Sequence, residues 1–286
     1  MIQEQKQALH IENVKSFSRS EANENERRWD DRKIDQLNRD PANNYDRTRM
    51  HLNFEIGSDG KIHPLGYMDK RLDERIQERL GELEYHPFKA DSKIQPNICA
   101  KLIIGGNHER TLEMAFGNQT VNLNKGADNS HLRRCREVED WAMDSYRWCC
   151  EQFGRENVIG FQVHLDEKSP HCHALVIPVG RKGKEKKERV MWSAKFGKNR
   201  NEYKAILQTM HTSLYETVGR KYGLERGDSV EGRNVRHLDK HEFYREQLKL
   251  EKAIKGLTTM KENLESSIAR LQNEIQTVRC RLADRK

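Results

Sequence analysis

The sequence lacks long apolar runs. None of them approaches the roughly 20 residues that a membrane-spanning helix needs. The first residues, MIQEQKQALH, contain no apolar segment of the kind that a secretory signal requires. The chain is therefore expected to have no membrane span and to be cytoplasmic.

Cysteine and hydrophobic residues are also scarce. The 286 residues include only 6 cysteines, and no two of them form a C-x-x-C pair. This scatter argues against a disulfide framework or a cysteine zinc site and predicts reduced thiols. Hydrophobic residues make up 35% of the chain and charged residues 34%, so part of the chain is expected to lie outside a globular core.

Basic residues outnumber acidic ones, with 52 lysines and arginines against 45 aspartates and glutamates, a net charge of +7. The isoelectric point is about 9.0. This balance favours a polyanionic partner such as nucleic acid, although a solvated lysine-rich surface has the same composition.

Apolar periodicity predicts an α+β fold in which strands and helices mix around one sheet. Strands are predicted over 50–56, 100–106, 157–165 and 171–179, with a turn at Ser58-Asp59-Gly60 and a basic turn over 180–189. Helices are predicted over 68–83, 132–153 and 202–222, with an exposed helix and a turn at Asp40-Pro41 within 18–46.

The C-terminal segment has a heptad pattern. Leu250, Leu257, Leu264, Leu271 and Val278 take position d, while Ile254, Lys261, Ile268, Ile275 and Leu282 take position a. Such a pattern is typical of a coiled coil, and the one polar a position, Lys261, restricts register or partner number. The alternative is a long helix that packs on its own domain.

Three of the chain's 12 histidines lie within HLDEKSPHCH, residues 164–173. His171 and His173 share one face of a predicted strand, because residues two apart point the same way. A short reversal through Asp166–Pro170 would bring His164 beside them. Three imidazoles on one side of a sheet suit a divalent metal and leave coordination positions open, as in a catalytic site.

Other interpretations of these histidines are three surface side chains near a turn, or a structural zinc site. A structural zinc site lacks a usual fourth ligand, apart from Asp166 or Glu167.

For a basic protein, an open three-histidine site favours phosphoryl transfer on nucleic acid. Peptide hydrolysis is disfavoured because no H-E-x-x-H pattern is present. A metallohydrolase of small phosphates would need neither the long helix nor the basic excess.

HLDEKSPHCH closely resembles the H-x-D-E-x-T-P-H-x-H signature of the Mob/Pre (MobV-type) relaxases, with Ser169 in place of threonine. HLNFE (51–55), ENER (24–27) and KYGLERG (221–227) resemble further blocks of that family, and together the resemblance covers about residues 10–230. It implies the HUH endonuclease fold, a central antiparallel sheet that bears the histidines, with flanking helices. The implied layout is a catalytic domain over 1–230 and a C-terminal coiled-coil helix over 231–286.

The resemblance implies an enzyme that nicks one DNA strand at an origin of transfer and stays covalently bound to the 5′ phosphate. It then reverses the step, which mobilises a plasmid or transposon. Implied partners are single-stranded or supercoiled origin DNA, Mn²⁺ or Mg²⁺, and a second copy or another partner at the coiled coil. His164, His171 and His173 would bind the metal. Glu167 would be a supporting or base-like carboxylate, and Arg27 would lie close to the scissile phosphate.

The chain departs from the family at the nucleophile. Glu24 occupies the place of the family's attacking histidine, and the family's tyrosines correspond to Phe54 and Phe153, which cannot attack. Glu24 would form an acyl phosphate, a chemistry known from aspartyl phosphates. Otherwise Tyr45, His51 or His10 attacks, or the protein binds DNA without covalent chemistry as an assembly protein.

Basic and aromatic residues near the predicted site are candidates for DNA contacts. The basic candidates are Arg47, Arg49, Arg181, Lys182, Lys184, Lys186, Lys187 and Lys198. Trp192 and Phe196 are predicted to stack on bases, and Phe54 is a further contact candidate. A solvated loop is the alternative for 181–189, where Glu185 and Glu188 dilute the positive charge.

Overall fold

The computed structural model describes residues 5–86, 95–182, 187–227 and 240–283. The chain divides into two compact units, residues 1–229 and 230–286. The first unit mixes helices with an antiparallel sheet, in agreement with the predicted α+β class.

Six strands form the main sheet in the order β1-β4-β6-β5-β2-β3, and every neighbouring pair is antiparallel. They are β1 (Gln7–Val14), β2 (Phe54–Ile56), β3 (Ile62–Pro64), β4 (Cys99–Gly106), β5 (Val158–His164) and β6 (His171–Val176). A separate hairpin consists of β7 (Val179–Lys182) and β8 (Lys187–Val190).

In the part of the first unit that the structure describes, the α-helices beside the sheet are α1 (Arg19–Asn25), α2 (Asp31–Leu37), α3 (Leu72–Glu82), α4 (His108–Phe116), α5 (Arg136–Phe153), α6 (Trp192–Phe196) and α7 (Arg200–Thr217). Short 3-10 helices occupy Met50–Leu52, Arg155–Asn157 and Gly219–Tyr222. The local sequence explains where α1 begins and where α5 ends. Ser18 and Glu21 form a capping box at the start of α1. Gly154, whose φ is 88°, follows the last residue of α5.

The apolar face of the sheet carries the main core. Leu102, Phe161 and Cys172 on this face are fully buried and cluster with Trp141 and Trp148 of α5. Helices α4, α5 and α7 supply most of the covering side chains. The five cysteines of the first unit are free thiols, as predicted.

The opposite face of the sheet is polar, because strand alternation places Gln162, His164, His171 and His173 together there. Helix α3 covers only the end of this face that lies away from the histidines. Leu72 packs directly over Gly160, where any side chain would clash with it. This arrangement leaves the histidine end of the polar face uncovered by α3.

Three predictions of local structure need correction. The predicted strand over 50–56 is reduced to Phe54–Ile56, because Met50–Leu52 form a 3-10 helix. The single exposed helix within 18–46 is two short helices, each begun by a capping side chain, Ser18 and Asp30. The basic segment 180–189 belongs to the β7–β8 hairpin, with 183–186 outside the described residues. The turn at Ser58-Asp59-Gly60 is confirmed, with a φ of 74° at Gly60.

The second unit contains one long helix, α8 (Lys240–Ala283). Its apolar side chains are exposed, for example Leu257 at 66% and Leu271 at 51%. The predicted helix is therefore present, whereas its pairing as a coiled coil stays a prediction. No helix among the described residues has the length and apolarity to cross a bilayer.

Candidate active site

The β5–β6 hairpin brings the three histidines of HLDEKSPHCH together. His164 is directly opposite His171 in the strand register, and Gln162 is opposite His173. One ring nitrogen from each histidine lies within 4.8 Å of the others. The Nε2 atoms of His171 and His173 are 2.8 Å apart. These nitrogens therefore converge on one point.

Hydrogen bonds on the far side of two rings fix which nitrogen carries the proton. His164 Nε2 lies 2.8 Å from the Asn25 carbonyl oxygen, and His171 Nδ1 lies 2.8 Å from the Ser169 carbonyl oxygen. A carbonyl only accepts, so each of these nitrogens donates a proton. His164 Nδ1 and His171 Nε2 are left with lone pairs, which is the usual arrangement around a protein-bound metal ion.

Burial keeps the imidazoles of His164 and His173 neutral. It lowers the pKa of His164 well below the ordinary value, and the charges of Arg27 and His171 lower it further. Burial likewise lowers the pKa of His173, assisted by His164 and His171. His164 Nδ1 is buried and has no hydrogen-bond partner among the described residues. An unpaired lone pair beside two further imidazoles fits a divalent cation.

Glu167 adds a negative charge beside the cluster. Its Oε1 atom lies 3.6 Å from His164 Nδ1 and 3.9 Å from His171 Nε2. Burial alone would raise the pKa of Glu167, but Arg27 and the imidazoles of His171 and His173 lower it to about 2. The carboxylate is therefore ionised at neutral pH.

Arg27 holds this carboxylate in place. Its Nη2 atom donates to Glu167 Oε1 at 2.6 Å, and its guanidinium forms two hydrogen bonds to Asp166, at 2.8 and 3.0 Å. The φ of Arg27 is 52°, a left-handed conformation that is uncommon for arginine. The ring of Tyr45 lies 4.9 Å from the guanidinium carbon. Buried ion pairs and this aromatic contact offset the backbone strain.

The segment before β2, residues 46–53, holds the backbone of Leu165, Asp166 and Glu167 in place through hydrogen bonds. Asn53 Oδ1 accepts from the backbone N–H groups of Leu165 and Asp166, at 2.7 and 3.2 Å. Arg49 donates to the Glu167 carbonyl at 3.1 Å and to Asp46 at 2.7 Å. The sequence alone suggested no role for Asn53 or Asp46, and it suggested Asp166 only as a possible fourth ligand of a zinc site. Their positions in or beside the HLNFE and HLDEKSPHCH blocks were the available signal.

The candidate nucleophiles occupy different places. Glu24 is exposed, and its Oε1 accepts from the Tyr45 hydroxyl at 3.0 Å. Burial and the charges of Glu167 and Glu24 raise the pKa of Tyr45, so its phenol stays protonated. His51 is exposed in the 3-10 helix. His10 lies in β1, aligned through Ile103 with His173 two strands away, or roughly 10 Å.

Two predicted DNA contacts are corrected by burial. Phe54 has no exposed surface and lies beneath the guanidinium of Arg134, 4.4 Å from its carbon. Arg49 is also fully buried, with its donors directed at Asp46 and Glu167. Both side chains support the site from inside the protein and are not available to a strand on the surface. Arg47 is exposed but is paired with Asp35 at 2.7 Å.

The β7–β8 candidates lie away from the histidines. The hairpin follows the far end of β6, and six residues of extended chain span roughly 20 Å. Lys182 ends β7, Lys187 forms an ion pair with Glu84, and Arg181 forms one with Glu188. Lys184 and Lys186 lie outside the described residues. The prediction that this basic segment adjoins the site is therefore wrong.

The predicted stacking residues pack within the fold. Phe196 is fully buried, and Trp192 stacks on it with ring centroids 4.2 Å apart. Phe196 is thus unavailable to a base, whereas Trp192 is only partly buried. Lys198, at the start of the next loop, is exposed.

Comparisons with known proteins agree with the motif. A sequence model described as plasmid recombination enzyme (Mob_Pre) matches residues 126–245, which include all three histidines. A plasmid recombination enzyme of a Bacillus species is 30% identical over 132 residues, covering 46% of this chain and 28% of that protein. A plasmid recombination enzyme type 3 of Staphylococcus aureus is 31% identical over 88 residues, covering 30% and 19%. The chain thus spans less than a third of these relatives.

Solved structures show the same fold. The MobM relaxase domain bound to 22-nucleotide origin DNA of plasmid pMV158, in a manganese-bound crystal at pH 5.5, aligns with a TM-score of 0.52. The alignment covers 84% of this chain and 98% of that one at 18% identity. A second manganese-bound complex of that domain, with 23 nucleotides, gives a TM-score of 0.51 at 16% identity. The resemblance predicted from HLDEKSPHCH is confirmed, because residues 126–245 match the sequence model of the Mob/Pre plasmid recombination enzymes.

Proposed function

We propose that this chain is a relaxase, which nicks and rejoins one DNA strand at an origin of transfer and so mobilises a plasmid or transposon. The observation that carries the proposal is the convergence of three imidazoles beside Glu167 and Arg27. The fold shared with origin-bound, manganese-bound MobM domains supports the DNA substrate and the divalent metal.

In this proposal, His164, His171 and His173 hold Mn²⁺ or Mg²⁺. The bound ion would act as a Lewis acid on a scissile phosphate oxygen. Glu167 is a weak base with its pKa near 2, so its part is to orient the imidazoles and add charge. Arg27 has five N–H donors, of which four form hydrogen bonds to Asp166, Glu167 and the Glu24 carbonyl. Its main role is to keep Glu167 ionised and positioned.

For the nucleophile we propose Glu24, the exposed carboxylate at the place of the family histidine. Attack by a Glu24 oxygen on phosphorus would form an acyl phosphate and break the bond to the 3′ oxygen, which leaves and takes a proton from solvent. The reverse attack by the 3′ hydroxyl would restore both groups. Tyr45, through its hydrogen bond to Glu24, would set the carboxylate's orientation.

A non-covalent DNA-binding protein is the second candidate, favoured by one observation. The side chain nearest to Glu24 that could attack in its place, Tyr45, is held protonated by burial and by two carboxylates. If neither Glu24 nor Tyr45 attacks, the site would bind metal and DNA without forming an adduct. The presence or absence of a covalent protein–DNA product distinguishes the two candidates.

For the domain layout we propose a catalytic domain over 1–230 and a coiled-coil segment over 231–286. The exposed apolar stripe of α8 and its heptad spacing support pairing with a second copy. Buried leucines at d positions contribute about 1.5–3 kcal/mol each.

Oligonucleotide cleavage tests the proposed function. Single-stranded oligonucleotides that tile the DNA around the coding sequence are incubated with the protein and Mn²⁺. We expect one of them to be cut at a single position, and chelator or His171→Ala to abolish cutting. His63→Ala is the matched control, because His63 lies in β3 and bonds Asp59, outside the cluster. Cutting that persists in His171→Ala or in chelator would contradict the proposal.

A further inference from the structure

A fourth histidine, His108, lies beside the linker of the β5–β6 hairpin. It is the first residue of α4, which begins two residues after the end of β4. Strand β4 pairs with the start of β6 as far as Ile104 and Cys172. The chain then runs on past β6, so that a Cβ atom at Gly105 would lie 3.5 Å from the Cβ atom of His171. The first turn of α4 therefore reaches the residues that precede His171.

Two hydrogen bonds connect the ring of His108 to the ring of His171 through one residue, Ser169. His108 Nδ1 lies 2.8 Å from the hydroxyl oxygen of Ser169. The carbonyl oxygen of Ser169 accepts from His171 Nδ1 at 2.8 Å. This second bond is the one that leaves the lone pair of His171 on Nε2. The position of Ser169 therefore decides where that lone pair points.

The bond from His108 extends the support that holds the linker. Asn53 and Arg49 fix the backbone of residues 165–167, at the β5 end of the linker. Ser169 lies at the β6 end, where His108 bonds its hydroxyl. Both ends of the linker are thus held by side chains from other elements.

The start of α4 is a firm anchor for this contact. Asn107 caps the helix by accepting from the Arg110 N–H at 3.0 Å, and its own N–H donates to the Lys6 carbonyl at 2.8 Å. The hydroxyl of Thr111, a fully buried residue, donates to the His108 carbonyl at 3.1 Å. The imidazole of His108 therefore extends from a fixed backbone.

His108 lies outside the group of imidazoles that could hold the metal. The three ring nitrogens that converge within 4.8 Å belong to the histidines of β5 and β6. Burial and the charge of Lys168 lower the pKa of His108, so the ring is neutral at pH 7. A neutral imidazole and a hydroxyl can each donate or accept, and the bond to Ser169 forms in either tautomer.

We infer that His108 is a positioning residue for the metal site, because its bond to Ser169 sets the carbonyl that orients His171. The inference rests on the proposed function, in which His171 is a metal ligand. Loss of a hydrogen bond that orients a metal ligand typically costs about 10- to 100-fold in metal affinity. His108 acts one residue further out, so we expect a loss near the lower end, about 10-fold.

Paired variants separate the hydrogen bond from the space that the ring fills. His108→Leu fills similar space but has no polar atom. His108→Asn keeps a polar atom where Nδ1 was, because in both side chains that atom is bonded to Cγ. Ser169→Ala removes the hydroxyl and leaves the carbonyl in the chain. His131→Leu is the matched control, because His131 is exposed and bonds the Thr120 carbonyl, away from the linker.

The measurement is isothermal titration of the metal-free, full-length protein with Mn²⁺ at pH 7, and melting of the metal-free protein confirms that each variant folds. We expect His108→Leu and Ser169→Ala to bind Mn²⁺ about 10-fold more weakly than wild type. His108→Asn and His131→Leu should bind it as wild type does. Because the two weakened variants lose the same bond, combining His108→Leu with Ser169→Ala should cause no further loss.

The possible failures are distinguishable. If wild type binds no Mn²⁺, the metal site of the proposed function fails, and the role of His108 fails with it. If wild type binds Mn²⁺ and both His108→Leu and Ser169→Ala bind it equally well, only the role of His108 is wrong. Equal weakening in His108→Asn and His108→Leu, or losses that add in the double variant, would also overturn it, because the ring would then act through packing or another contact.

Discussion

Arg27 and Asp166, 139 positions apart in the chain, form a buried two-point ion pair with distances of 2.8 and 3.0 Å. The side chains are 3% and 0% exposed. Through the same guanidinium, the pair fixes Glu167 beside the histidines. The ENER and HLDEKSPHCH blocks therefore act as one structural unit, although neither shows this alone.

Arg27→Lys should impair nicking more than folding. Lysine keeps the charge but cannot bond both Asp166 oxygens and Glu167 in a planar fork, so Glu167 loses its position. Changes of this kind beside metal ligands cost about 10- to 100-fold in activity or metal affinity. The measurement is single-turnover cleavage, with Arg32→Lys on the exposed surface of α2 as control. Equal rates for both variants would show that the fork is dispensable.

Metal binding should stabilise the folded chain through the three histidines. A ligand at one hundred times its dissociation constant adds about 2.7 kcal/mol to stability. We expect Mn²⁺ to raise the melting temperature of wild type and His63→Ala, and to leave that of His164→Ala unchanged. Isothermal titration with Mn²⁺ provides a second readout. An undiminished manganese response in His164→Ala would place the metal elsewhere.

The attacking residue can be identified from the adduct. Glu24→Gln keeps the shape and accepts from Tyr45, but a neutral amide does not attack phosphorus. We expect no covalent protein–DNA product from Glu24→Gln, whereas Tyr45→Phe should still form one more slowly, because it loses only the orienting hydrogen bond. Denaturing electrophoresis with a labelled oligonucleotide, followed by mass spectrometry of the adducted peptide, reads the outcome. An adduct on Tyr45, His51 or His10 would reassign the nucleophile.

The clustering of the histidines could be predicted from sequence for a local reason. His171 and His173 are two apart in one strand, and the short DEKSP linker allows only a tight return from His164. Strand alternation and a hairpin register are short-range properties, so a ten-residue motif contains them.

The buried residues that hold the site in place could not be predicted from a short motif. Arg49 and Phe54 were expected at the DNA because one is basic and the other aromatic, yet both are buried. Their burial depends on contacts with Glu167 and Arg134, which lie more than 75 positions away in the chain. Similarly, the basic residues of β7–β8 lie away from the histidines because β6 runs away from the site before the hairpin begins. Only the assembled sheet shows that direction.

Removing the apolar stripe of α8 should abolish self-association. Leu264→Lys with Leu271→Lys places two charges at d positions, whereas Ser266→Lys with Asn273→Lys adds the same charges on the outer face. We expect sedimentation equilibrium to give a dimer mass for wild type and the outer-face variant, and a monomer mass for the d-position variant. A monomer in all three would end the proposed pairing and leave the stripe for another partner.

Asp46 should make a pH-dependent contribution to stability. Burial alone would raise its pKa, but hydrogen bonds from Thr48, Arg49 and Asn129 lower it below the ordinary value. A carboxylate with a lowered folded pKa stabilises the fold above its unfolded pKa of about 3.9, and that contribution disappears as the pH falls through the folded pKa.

Asp46→Asn leaves the buried Arg49 unpaired and should cost about 3–5 kcal/mol at pH 7. Urea unfolding at neutral pH and near pH 3 should show this deficit shrinking with acid. Asp128→Asn, at an exposed carboxylate in the neighbouring loop, is the control. If the loss of stability in Asp46→Asn stays constant from neutral pH to about pH 3, the charge of Asp46 does not stabilise Arg49.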